Sequence, residues 1–144
     1  MSETARQGVH TGACLCGAIS YRVTGPLRPV IGCHCSQCRR TSGHFVAATA
    51  TRRVNLSITE DGSLTWFDSS EQARRGFCRV CGSSLFWERH GDPHISIMAG
   101  TLDSPTGLQT AMHICLADAG DYYEVADGTP QIESAEHGMP VPDP

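Results

Sequence analysis

The sequence has no excess of positive charge. Eleven basic residues face fifteen acidic ones among 144, a formal net charge of −4. Nucleic acids are held largely through clustered basic side chains, so this balance argues against DNA or RNA as a partner. Long apolar runs are missing too, and nothing approaches the roughly 18–20 residues that span a bilayer. Met1 to His10 is polar and lacks the apolar core of a secretory signal. A cytoplasmic location is expected, where thiols stay reduced. Aromatic residues are few, at 6%, and neither an internal repeat nor a dividing linker is visible. Glycine and proline are plentiful instead, at fifteen and eight. That composition predicts turns and short strands rather than long helices. One domain of this size buries about 70% of the surface its unfolded chain would expose.

Cysteine is the other abundant residue, with eight in the chain. In a reducing compartment eight cysteines read as metal ligands before disulfides. Three fall in one run, Cys33-His34-Cys35-Ser36-Gln37-Cys38. Side chains two apart on an extended segment share a face, so Cys33 and Cys35 can reach one point while His34 faces away. Two further residues let the chain turn and return Cys38 to that point. Thiolates grouped so favour zinc. Three of them fill three corners of a tetrahedron. The fourth corner is either open to water or a substrate thiol, or closed by another residue. Cys115 is the obvious candidate to close it, but the apolar run Ile114-Cys115-Leu116 reads as core. A redox C-x-x-C at Cys35 and Cys38 lacks the βαβ setting it usually needs. A second motif, Cys78-x-x-Cys81-Gly82, has the form of a zinc knuckle, and Cys14-x-Cys16 is the pair available to complete it on a strand.

A mostly-β single domain is expected over 12–133, with a loose leader at 1–11 and a fraying tail at 134–144. Ile19, Tyr21 and Val23 alternate with polar residues as a half-buried strand should. Short strands are predicted at Val30–Gly32, Phe45–Ala50, Val54–Ile58, Leu64–Phe67, Leu85–Trp87, Ile95–Met98 and around Met112–Leu116. Asp61-Gly62 reads as a hairpin turn joining two of them. Ser36 is the expected N-cap of a helical turn through Arg40 that Gly43 stops. His34 is expected to be packed rather than metal-bound, His113 to be a hydrogen-bonded strand residue, and His44 to be an ordinary exposed histidine. Arg39, Arg40 and Ser42 follow the last ligand and could serve a bound substrate.

Together these blocks resemble the glutathione-dependent formaldehyde-activating enzyme family, which also contains centromere protein V. The resemblance rests on Gly12-x-Cys14-x-Cys16-Gly17, on Cys33-His34-Cys35-x-x-Cys38-Arg39-Arg40-x-Ser42-Gly43-x-Phe45 and on Phe77-Cys78-x-x-Cys81-Gly82-Ser83. It continues through Gly100-Thr101-Leu102-Asp103, His113-Ile114 and Pro130-Gln131, covering about residues 9 to 133. It implies a β-tent fold of stacked antiparallel sheets with very little helix. It also implies two zinc ions, one structural on Cys14, Cys16, Cys78 and Cys81, and one exchangeable and catalytic on Cys33, Cys35 and Cys38. The implied activity is that of a carbon–sulfur lyase acting on a thiol–aldehyde adduct such as S-hydroxymethylglutathione. Its partners would then be a small thiol such as glutathione and an aldehyde, whose carbonyl Arg39 or Ser42 could polarise. Relatives usually carry tryptophan at Tyr122, a small residue at His44 and an aromatic at Cys115. The alternative from another class is a non-catalytic, zinc-scaffolded binding module.

Overall fold

A computed structural model describes residues 8–134, and among these described residues are ten strands and one α-helix. The strands are β1 (Val9–Ala13), β2 (Ile19–Thr24), β3 (Val30–Cys33), β4 (Val46–Arg52), β5 (Leu56–Glu60), β6 (Leu64–Asp68), β7 (Ala73–Cys78), β8 (Ser84–Arg89), β9 (His94–Met98) and β10 (Thr110–Ile114). Helix α1 (Ser36–Ser42) lies between β3 and β4. A three-stranded sheet has the order β1-β2-β5, and a seven-stranded sheet has the order β10-β3-β4-β9-β8-β7-β6. The mostly-β expectation holds. One pairing departs from antiparallel: β10 runs parallel to β3, after a connection long enough to return the chain to the start of the sheet.

Alternation in β2 does what its pattern predicts, with Ile19, Tyr21 and Val23 buried and their neighbours exposed. They meet Leu56 of β5 and, from the larger sheet, Leu85, Phe86, Ile95 and Ile97. Tyr21 stands edge-on to Phe86 with ring centroids 5.5 Å apart. Successive strand residues face opposite ways, so Trp87 and Met98 point to the other side of the large sheet from Phe86 and Ile97. There they join Val46, Ala48 and Cys38 in a second, smaller cluster that Cys33 and Cys35 pack against. The candidate site is built on this second face.

Several local expectations are corrected. Asp61-Gly62 does turn the chain, with the Asp61 carboxylate accepting from the Ser63 backbone and hydroxyl. Yet β5 pairs with β2 and β6 pairs with β7, so no hairpin forms. A turn sets chain direction, while burial of Leu56 in the core shared by the two sheets chooses the partner. Arg53–Asn55 is a single 3₁₀ turn with Val54 exposed, and the strand begins at Leu56. Strand β1 takes in Val9–Thr11 of the expected leader; residues 1–7 and 135–144 lie outside the described residues. Cys115 is half-buried rather than core, and ends β10 in the left-handed region at φ 61°.

Candidate metal centres

The first sulfur cluster ties the two sheets together. Cys14 and Cys16 lie in the turn after β1, not on a strand, while Cys78 closes β7 and Cys81 sits in the turn to β8. The four Sγ atoms lie within 4.8 Å of one another, with Cys16 at 3.7 Å from Cys14 and 3.8 Å from Cys78. The β7–β8 turn is tight: Gly82 N–H donates to the Cys78 carbonyl at 2.8 Å, and Gly82 holds φ 79°, which a side chain would strain. Backbone N–H groups of Ile19 and Cys81 point at the sulfurs of Cys14 and Cys78, at 3.3 and 3.5 Å. The Ser83 hydroxyl, 3.2 Å from Cys81, holds that thiol's pKa down to about 5. Four cysteine sulfurs in this arrangement form a closed donor set that could hold a tetrahedral metal ion.

The second cluster is Cys33, Cys35 and Cys38, again with sulfurs within 4.8 Å. Cys33 is the last residue of β3. Cys35, not Ser36, caps α1: the extended conformation ends at Cys35 (φ −62°, ψ 163°) and the helix begins one residue earlier than expected. Its sulfur accepts from the Cys38 N–H at 3.4 Å. The helix runs on to Ser42 and ends at Gly43, whose φ of 82° makes the left-handed cap. Hydrogen bonds from Cys33 and then Cys38 hold the Cys35 thiol below the usual range, and the same contacts push Cys33 up. Among the described residues no fourth histidine, cysteine or carboxylate ligand joins these three, and Cys115 lies outside both clusters.

Arg75 is the member that sequence reasoning missed. Strand β7 sets it opposite Trp87, on the face of the second cluster. It is 6% exposed, and its Nη2 donates to the Cys38 sulfur at 3.7 Å. The side chains expected to serve a substrate have other partners. Arg39 Nε donates to the Asp118 carbonyl at 3.2 Å. Ser42 Oγ donates to the Cys38 carbonyl at 2.7 Å and accepts from the His44 N–H. Arg40 is exposed and lines a shallow groove with Phe67 and Ser69.

His34 is fully buried on the side away from the sulfurs, stacked on Phe45 at 4.4 Å. Both its nitrogens are committed. The Asp127 carboxylate must accept from His113 Nε2–H at 2.8 Å. His113 Nδ1 is then the bare nitrogen that accepts from His34 Nε2–H at 2.9 Å. That leaves His34 Nδ1 to accept the Tyr123 hydroxyl at 2.5 Å. Burial, then the neighbouring His113 and His44, lower the His34 pKa and keep it neutral. The chain fastens residues 123–127 over β3 and β10, and it leaves His34 no lone pair for a metal. His44, expected to be ordinary, contacts the Tyr122 hydroxyl at 2.9 Å and packs on Tyr123. Tyr123 and Asp127 lie in an irregular segment with no local pattern to mark them.

Residues 9–118 match the family model for glutathione-dependent formaldehyde-activating enzymes. The chain belongs to that family. An uncharacterized lyase of Schizosaccharomyces pombe is 29% identical over 122 residues, covering 83% of this chain and 88% of that protein. A Halomonas elongata protein named a putative glutathione-dependent formaldehyde-activating enzyme is 27% identical over 127 residues, 79% of each. A crystal structure of a Rhodobacter sphaeroides protein superimposes with a TM-score of 0.54 at 26% identity, covering 67% of this chain and 91% of that one. Both sulfur clusters of this family member lie within the matched segment.

Proposed function

We propose that this protein is a cytoplasmic, zinc-dependent carbon–sulfur lyase that reversibly makes and breaks the adduct of a small thiol with an aldehyde. Glutathione and formaldehyde are the pair for which its family is named. The observation that carries this reading is the three-sulfur cluster of Cys33, Cys35 and Cys38, joined by no fourth ligand among the described residues. Cys14, Cys16, Cys78 and Cys81 supply the structural, closed set.

A zinc ion on three thiolates would supply a Lewis acid and one exchangeable position at which a thiol loses its proton more readily. In the synthetic direction the substrate sulfur attacks the carbonyl carbon, and a carbon–sulfur bond forms as the C=O π pair moves to oxygen. The proton that left the thiol ends on that oxygen. The reverse direction breaks the same bond, and neither direction needs an oxidant or a reductant. Cys33, Cys35 and Cys38 fix the reacting centre. Arg75 donates to the Cys38 sulfur and places a positive charge beside it. Arg39, oriented through Nε by the Asp118 carbonyl, keeps its terminal nitrogens for an anionic part of the substrate. Ser42 is assigned to holding the end of α1.

Purified without chelator, the protein should carry two zinc ions, and mild chelation should remove one first, with turnover of S-hydroxymethylglutathione falling in step. Cys35→Ser should retain the fold and one zinc and lose turnover. A folded, fully metallated protein that turns over no thiol–aldehyde adduct would sink the enzyme reading and leave a zinc-scaffolded binding module.

A further inference from the structure

Two adjacent arginines on β7 solve the problem of their charge differently. Arg74 pairs with Glu88 at 2.5 Å and lies over the Trp66 ring. Arg75, on the opposite face, is 6% exposed and meets no carboxylate in ion-pair range among the described residues. Its Nε has no hydrogen-bond partner, and its Nη2 points at the Cys38 sulfur. A buried guanidinium without an anion is costly by several kcal/mol, so buried cations are paired. What faces this one is the three-sulfur cluster.

Charge arithmetic gives that contact a purpose. Three thiolates and a divalent ion sum to a single negative charge, which Arg75 cancels. The four-sulfur cluster would carry two negative charges when loaded. The hydrogen bonds to its sulfurs come from backbone N–H groups and the Ser83 hydroxyl, not from an arginine. A closed site never admits another anion, so it can remain charged. An open one that takes a thiolate must accept one more negative charge in a partly buried place.

We propose that Arg75 is the built-in counter-ion of the three-sulfur centre, and that its charge is what lets this centre accept an anionic fourth ligand. It acts through the Cys38 sulfur and is therefore a positioning residue. The inference deepens the function proposed above and rests on the open position argued there.

The test uses cobalt-substituted protein, whose absorption reports the coordination of the exchangeable site. Wild type, Arg75→Met and Arg75→Lys are each titrated with mercaptoethanol, which enters as an anion, and with imidazole, which enters neutral. Arg75→Met should weaken thiolate binding by about ten- to a hundred-fold, the effect of one charge at close range in a partly buried site. Imidazole binding should change little, and Arg75→Lys should restore most of the loss. Equal weakening of both ligands, no change in either, or a lysine variant that behaves like methionine would overturn the proposal. Arg75→Gln, which keeps a donor and drops the charge, replaces the methionine variant if that one does not fold. Failure of both neutral variants to fold would place Arg75 in folding and overturn the proposal. Wild-type protein that binds neither ligand would instead refute the open position itself.

Discussion

Replacing Cys81 by serine should cost far more stability than replacing Cys35, although each change removes one sulfur from one cluster. The reason is where the clusters sit on the chain. Cys16 and Cys78 are 62 residues apart in sequence and join the turn after β1, in the small sheet, to the end of β7, in the large one. A cross-link closing a loop of that length removes chain entropy from the unfolded state worth about 4 kcal/mol at 25 °C. Cys33, Cys35 and Cys38 span a single short run, for which the same relation gives about 2 kcal/mol at most. Domains of this size are stable by about 5–15 kcal/mol, so losing the long link consumes a large share of the total. Cys81→Ser should lower the melting temperature by about 10 °C or more, while Cys35→Ser should shift it by a few degrees. Thermal melts of protein purified without chelator, repeated after exhaustive chelation, measure both. Wild type stripped of metal should fall to the level of Cys81→Ser. Equal melting of the two variants would refute the division into a structural and an exchangeable site.

Two further outcomes follow from other parts of the structure. Cys115→Ala should keep both metals, because the thiol lies outside both clusters, and should cost about 1 kcal/mol in packing; loss of one metal on this change would make Cys115 a ligand. Tyr21, buried against Phe86 and bonded to Thr101, has its pKa raised to about 12, chiefly by burial. Its neutral form is favoured in the folded state, so the stability it contributes is intact below the unfolded value near pH 10 and is lost as pH rises toward 12. Wild type should therefore lose about 2 kcal/mol more than Tyr21→Phe across that window in urea titrations, and parallel curves would refute the assignment.

What the sequence determined by itself is local. The alternation in Ile19–Val23 dictates a half-buried strand whatever it packs on, because side-chain direction in a strand has period two. The same rule groups Cys33 with Cys35 and turns His34 away. The tight spacing of Cys78 and Cys81 brings both sulfurs toward one point without help from distant residues. Three outcomes needed the tertiary structure. Asp61-Gly62 turns the chain, but the partners of β5 and β6 depend on the core that Leu56 joins with residues of both sheets. Arg75 has no motif around it, and it reaches Cys38 only because the β7–β8 register sets it opposite Trp87. Tyr123 and Asp127 come from an irregular segment, and only the meeting of β3 with β10 supplies the two histidines that hold them. Ligand spacing is short-range covalent geometry and can be read along the chain. The positive charge beside Cys38 comes from Arg75, 37 positions away, and only the folded sheet brings it there.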